Sequence, residues 1–265
     1  MRGLADKVAI VTGGANGIGR AIMERLCQEG VSVTFSGISE AGAATEQQCL
    51  ARGYRVQFVH GDMAEEAFCR RLVRDALGRW GKINFLVNNA FSFLAKGLDA
   101  SREDWLRVMS VGPIAYATMA QGVVDPMRQQ GGGSIVNLSS ISAHIAQPVR
   151  WTYNAAKGAV NQLTRCMALD LSAHNIRVNT VSPGWIWTRE VDKAAGGDRA
   201  KWGPVWGKFH MLRRLGEVEE CAAPVAFLLS DEASFITATE IMVDGGYHGM
   251  GSEGLGEASS FAGSA

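Results

Sequence analysis

Short apolar runs alternate along this chain with longer stretches in which apolar residues recur about once per helical turn. Val8-Ala9-Ile10-Val11 is followed by Ile18, Ile22 and Leu26, and these by a run from Val31 to Phe35, which predicts strand, helix, strand. The pattern continues with a polar helix around Glu46, a strand at Val56 to Val59, a helix through Phe68, Leu72, Val73 and Leu77, and a strand at Asn84 to Val87. Further strands are expected at Ser134 to Leu138, Arg177 to Val181 and Glu240 to Val243, with helices near 103–129, 152–173 and 217–230. Strands alternating with helices predict an α/β fold, a doubly wound parallel sheet of about seven strands in a single domain, covered on both faces. Ligands of such sheets bind beyond the carboxyl ends of the strands, so the residues just after each strand are the ones to search for chemistry.

Composition narrows the function. A chain of 265 residues suits one domain with a large sheet. Lys and Arg number 26, as do Asp and Glu, so no net field draws the chain to nucleic acid or to an anionic membrane. The start, MRGLADKVAIVTGG, has too short an apolar run for a membrane span and reads as a first strand rather than a signal peptide. Cys27, Cys49, Cys69, Cys166 and Cys221 are scattered without metal spacing, so no metal site is expected, and the thiols suit a reducing cytoplasm. The main unit is expected over 1–248. From Gly249 to Ala265 the chain is rich in Gly, Ser and Ala, a tail that packs, if at all, on another surface.

Two local patterns carry chemistry. Thr12-Gly13-Gly14-Ala15-Asn16-Gly17-Ile18-Gly19 follows the first strand and opens a helix. Glycine lets backbone approach a pyrophosphate, and the helix presents free N–H groups; by itself, such a turn serves structure as often as phosphate binding. Tyr153 and Lys157 stand four apart near the start of a helix and so share a face. A nearby ammonium lowers a tyrosine's pKa toward a useful range, although a bare pair of this kind also fits a packed tyrosine beside a solvated lysine. Ser140, or its neighbour Ser139, follows the strand ending at Leu138 and could bond a substrate oxygen.

With these residues in order, the chain from about 5 to 248 resembles the short-chain dehydrogenase/reductase family. Thr12, Gly13, Gly17 and Gly19 match its nucleotide turn, Asn88-Asn89-Ala90 its Asn-Asn-Ala-Gly motif, and Ser140, Tyr153 and Lys157 its catalytic serine, tyrosine and lysine. Ser182-Pro183-Gly184 and Val243-Asp244-Gly245-Gly246-Tyr247 match later segments. The resemblance implies a Rossmann-type fold, a homotetramer, and hydride transfer between NAD(P) and a secondary alcohol or ketone. Tyr153 would exchange the proton, Ser140 would orient the substrate oxygen, and Lys157 would bond the nicotinamide ribose and lower the tyrosine's pKa. The dinucleotide would be held by Gly13, Asn16, Gly17, Ile18, Gly19, Ile38, Asp62, Met63, Asn89, Ala90, Pro183, Gly184, Ile186 and Thr188, together with Tyr153 and Lys157.

Two departures stand out. Phe91 replaces the glycine after Asn-Asn-Ala, and Gly112 aligns with the helix-four asparagine that holds a relay water in the family. Pro113 lacks an N–H and disfavours helix at its predecessor, so the helix is expected to break there and free a carbonyl that could anchor the water. Loss of the asparagine also motivates a second reading, a catalytically impaired dinucleotide-binding regulatory or scaffold protein. At the end of the second strand Gly37 takes the usual acidic position, without a neighbouring base to attract a 2′-phosphate; the balance favours NAD over NADP. A substrate lid is expected over about 185–215. Phe91, Ser140, His144, Trp151, Trp185 and Trp187 are expected to form an aromatic-walled pocket for a cyclic, aromatic or sugar-like alcohol, whereas Trp202 and Trp206 read as a small satellite core.

Overall fold

The computed structural model describes residues 1–256. Its strands are β1 (Val8–Val11), β2 (Ser32–Gly37), β3 (Val56–His60), β4 (Phe85–Asn88), β5 (Gly133–Leu138), β6 (Ile176–Pro183) and β7 (Glu240–Val243). They form one sheet in the order β3-β2-β1-β4-β5-β6-β7, parallel throughout. The order reverses between β1 and β4, which opens a crevice at their carboxyl ends.

Nine α-helices are described: α1 (Gly17–Gln28), α2 (Ala41–Ala51), α3 (Glu66–Trp80), α4 (Arg102–Met109), α5 (Ala115–Gln129), α6 (Trp151–Leu171), α7 (Arg189–Ala194), α8 (Arg199–Gly207) and α9 (Val218–Leu229). Successive strand residues point to opposite faces. Ala9, Val11, Val33 and Phe35 therefore pack with Ile22, Met23 and Leu26 of α1 and Val225 and Leu229 of α9, while Ile10, Leu86 and Ile135 pack with α3, α5 and α6. Burial on both faces explains why the strands read as unbroken apolar runs.

The stretch expected as one helix over 103–129 is two. A capping box between Ser101 and Asp104 starts α4, and a wide turn over Ser110–Ile114 separates it from α5, with Gly112 outside helical geometry at φ −88° and ψ −113°. Pro113 supplies no N–H, and backbone N–H groups at the end of the turn donate back to the carbonyls of Ser110 and Gly112. The expected break is thus present. The expected lid segment contains α7 and α8, capped by Thr188 and Asp198, and a single bridge between Ile186 and Gly216 ties its two ends together. Neither helix was foreseen, because each is short and lacks an apolar period. Of the expected tail, Ser252–Leu255 forms one tight turn and residues 257–265 lie outside the described residues. Among the described residues no helix is long and apolar enough to cross a membrane, and all five cysteines are free.

Leu26 is fully buried between the sheet and α9. Leu26→Ala is expected to lower stability by about 2–5 kcal/mol, measured by denaturant unfolding; a loss well under about 1 kcal/mol would show that this layer collapses to fill the gap.

Candidate active site

A cleft of about 740 Å³ runs along the carboxyl ends of the strands. At its centre the chain leaves β1 through Gly13 and Gly17, both at positive φ (+67° and +53°), which glycine adopts without strain. Gly19 is required for space: a Cβ there would meet the Gly13 carbonyl and the Asn89 amide closer than real Cβ atoms come. Asn89 fixes the turn, its Nδ2 donating to the carbonyls of Thr12 (3.0 Å) and Gly13 (3.1 Å), while Thr12 Oγ1 accepts from the N–H groups of Asn89 and Ala90. The start of α1 faces the cleft, and a Cβ at Gly17 would meet only the Thr188 methyl, at 4.0 Å. Open space before free N–H groups fits a dinucleotide pyrophosphate.

Asp62, just after β3, lines the same cleft. Burial opposes its charge, but hydrogen bonds from Arg107 (2.6 Å) and the Ala64 N–H (2.9 Å) outweigh this and hold its carboxyl below the usual value.

Helix α6 is pinned to the sheet by polar contacts inside the core. Thr164 Oγ1 accepts from Asn137 Nδ2 (2.9 Å) and Thr180 Oγ1 (3.0 Å), and Ser139 Oγ donates to the Lys157 carbonyl (3.0 Å). These contacts set the helical register that brings Tyr153 and Lys157 to the cleft. They also separate the two serines: the Ser139 proton is spent on α6, whereas Ser140 Oγ accepts from the Ser142 N–H (3.1 Å) and keeps its own proton. Lys157 Nζ donates to the Leu138 carbonyl (2.9 Å) and lies over the Phe91 ring, 3.6 Å from its centroid.

Every residue expected to hold the dinucleotide lines this cleft, as do Ser140, Phe91 and Trp185. Three expected pocket residues do not. His144 Nε2 is held 2.8 Å from Glu240 Oε1 on β7, and Asn161 bonds the same carboxylate; a hydrogen-bonding partner across the sheet end claims the ring. Trp151 sits at the start of α6 and is 55% exposed. Trp187 donates to Asp192 (3.2 Å) and is covered by Arg199. Trp206 stacks on Trp202, as expected of a satellite core, and also reaches the cleft against Trp185, with centroids 5.4 Å apart.

The comparisons with known proteins agree with this geometry. The family profile described as enoyl-(acyl carrier protein) reductase matches residues 13–248. A rabbit (Oryctolagus cuniculus) dehydrogenase/reductase SDR family member 4 is 40% identical over 250 residues, 92% of this chain and 94% of that one. A cyclopentanol dehydrogenase of Comamonas sp. is 36% identical over 247 residues, 91% of this chain and 97% of its own. The chain belongs to the short-chain dehydrogenase/reductase family. It is accordingly an oxidoreductase of alcohol and ketone groups. Among solved structures, levodione reductase superposes with a TM-score of 0.86 at 30% identity, covering 93% of this chain and 99% of that one.

For a member of this family, the cleft carries groups that sequence reasoning missed. Ser142, Gln147 and Arg150 line it beside Phe93 and Tyr153, with Ser142 Oγ donating to Gln147 Oε1 (2.7 Å). Their only signal was position, between Ser140 and Tyr153. The expected lowering of the tyrosine's pKa by Lys157 also meets a correction. Burial pushes the Tyr153 phenol up to about 12, and what offsets it is the Ser140 side chain and the charge of Arg150. Burial brings the Lys157 ammonium down to about 7, so much of its charge is lost at neutral pH.

Gly19→Ala should weaken dinucleotide binding at least tenfold by calorimetry and lower the melting temperature, because the new methyl must displace the turn. Gly78→Ala, on α3 with nothing within 4 Å of the added carbon, should stabilise by about 0.5–1 kcal/mol and leave binding unchanged. For Lys157, a group titrating near 7 when folded and at its ordinary 10.5 when unfolded destabilises the fold fully below about pH 7 and ceases to do so above its unfolded value. Lys157→Met should therefore raise the melting temperature most near pH 6, with the gain fading toward pH 10; a gain that grows with pH would reverse the sign of this linkage.

Proposed function

We propose that this chain exchanges a hydride between NAD and a cyclic, aromatic or sugar-like secondary alcohol or ketone, with Ser140, Tyr153 and Lys157 as its catalytic residues. One observation carries this reading: the three side chains line the same cleft as the glycine turn. A bound nicotinamide dinucleotide supplies the hydride donor or acceptor. Tyr153 gives its phenolic proton to the substrate oxygen in reduction and takes it back in oxidation. Ser140, its proton free of the loop, bonds that oxygen and orients it. Lys157, which gives one proton to the Leu138 carbonyl and lines the cleft, would hold the nicotinamide ribose through its other protons. The apolar surroundings exclude water and strengthen each of these contacts.

Phe91, Phe93, Trp185 and Trp206 offer flat apolar walls, and Gln147 and Arg150 offer polar partners on the same cleft, a combination suited to a ring bearing oxygen. The names cyclopentanol dehydrogenase and levodione reductase point to ring substrates in two similar proteins. Preference for NAD rests on the end of β2, where Gly37, Ile38 and Ser39 line the cleft without a cation among them. The nearby His60 is engaged by the Ile38 carbonyl and by Glu40. A cytoplasmic homotetramer fits the free thiols and the exposed Leu106, Ile114, Leu169 and Phe235, apolar positions that copies of the chain would cover.

The test is a panel of cyclic alcohols, aromatic carbinols and aldoses, offered with NAD+ or NADP+ at mildly alkaline pH while reduced nicotinamide is followed. Activity on one class is expected, with the larger kcat/KM for NAD+. Tyr153→Phe should lower kcat by at least about 100-fold with dinucleotide affinity retained. Higher kcat/KM with NADP+ would overturn the cofactor preference. Silence across the panel with dinucleotide bound would favour the regulatory reading raised by Gly112.

A further inference from the structure

We infer that Phe91 and Gly112 work as one unit: the glycine leaves a notch that the phenyl ring fills, and the ring's face serves as the electrostatic partner of the Lys157 ammonium. Phe91 is then a positioning residue, acting on the substrate through Lys157. The inference rests on the proposed role of Lys157 for its catalytic meaning, but the contact itself can be tested without turnover.

The notch is defined by space. A Cβ built on Gly112 would stand 2.5 Å from Phe91 Cε2 and 3.0 Å from Cζ, closer than packed carbons approach, so any side chain at 112 displaces the ring. The ring is also held by its neighbours. It meets the Tyr153 ring at 5.3 Å and 81° and the Tyr116 ring at 6.5 Å and 79°, both edge-to-face contacts of the favoured kind. Tyr116 is itself fixed, its hydroxyl donating to the Leu138 carbonyl (3.3 Å), the carbonyl that receives Lys157.

Lys157 has few other sources of stabilisation. It is 3% exposed, and among the described residues it forms no ion pair. Its ionisable neighbours are phenols, Tyr153 on α6 and Tyr116 on α5, the latter sharing its Leu138 acceptor; Arg150, the charge acting on Tyr153, is a cation. One of its three N–H donors goes to Leu138. The electron-rich face of Phe91, at 3.6 Å, lies well inside the range at which a desolvated cation is attracted to an aromatic ring. The Tyr153 ring, at 5.7 Å, is a more distant second.

The direct test is the titration of Lys157 in protein carrying carbon-13 at the lysine ε position, with its resonance assigned by its loss in Lys157→Met. Phe91→Leu keeps an apolar side chain and removes the ring face, so Lys157 should titrate about one pH unit lower than in the parent. A ring-fluorinated phenylalanine at 91, which keeps the shape and weakens the face, should lower it by a smaller step. Gly112→Ala, which pushes the ring away, should reproduce the fall, and Phe91→Leu combined with Gly112→Ala should fall no further, because the two act on one contact. If Phe91→Leu folds poorly, the fluorinated ring alone decides. A Lys157 titration unmoved by ring fluorination, or equal and additive falls from the two substitutions, would overturn the inference.

In turnover, the alkaline limb of kcat/KM for alcohol oxidation should move downward by a similar step in Phe91→Leu, since Lys157 would lose at lower pH the charge with which it is proposed to hold the nicotinamide ribose. A fall in the Lys157 titration without any turnover in the parent protein would uphold the contact and count only against the catalytic reading.

Discussion

An ammonium kept out of water at the carboxyl end of β5 is the constraint on which the site depends. Lys157 is buried, so its charge must be stabilised by fixed dipoles and faces rather than by solvent. The Leu138 carbonyl provides one such group because β5 ends there, and the Phe91 ring provides another because the chain leaving β4 passes beside α6. Neither partner can reach Lys157 unless α6 lies in one register against the sheet. Thr164, Asn137 and Thr180 enforce that register from within the core, so residues with no access to the cleft decide what the cleft contains.

The same constraint makes the site a cost to the fold. Burial raises the Tyr153 pKa and lowers that of Lys157, which means that the protein holds both groups where their charged forms are disfavoured. Groups kept in such positions serve chemistry more readily than stability. The surrounding structure absorbs the cost through two continuous apolar clusters, one on each face of the sheet. The break between α4 and α5 belongs to this arrangement too. Gly112 stands at that break, and its lack of a side chain leaves space that the Phe91 ring occupies, so an irregularity in one element makes room for a contact between two others.

Sequence pattern and tertiary geometry part company in the segment after β6. Trp185 and Trp187 are two apart, and strand-like alternation would have put them on one side; in the fold Trp185 reaches the cleft while Trp187 is enclosed by Asp192, Arg199 and Trp206. Trp202 and Trp206 do share a helix face and stack, as their spacing of four demands, yet the second also meets the cleft. His144 illustrates the same limit. Its position after Ser140 placed it near the chemistry in the chain, but Glu240, ninety-six residues later, takes its ring in space.

What the sequence determined by itself was the part governed by local and periodic physics. Apolar runs too short for helices became strands, glycines at positive φ or in tight contact made the turn after β1, Gly112-Pro113 broke a helix, and a spacing of four put Tyr153 and Lys157 on one face. These follow from backbone sterics and the periods of helix and strand, which act over a few residues. Only the tertiary structure decided which aromatic rings wall the cleft, which serine keeps its proton free, and which group answers the charge of Lys157. Those outcomes depend on side chains that are far apart in the chain and meet only when the sheet is assembled, and neither composition nor period encodes such meetings.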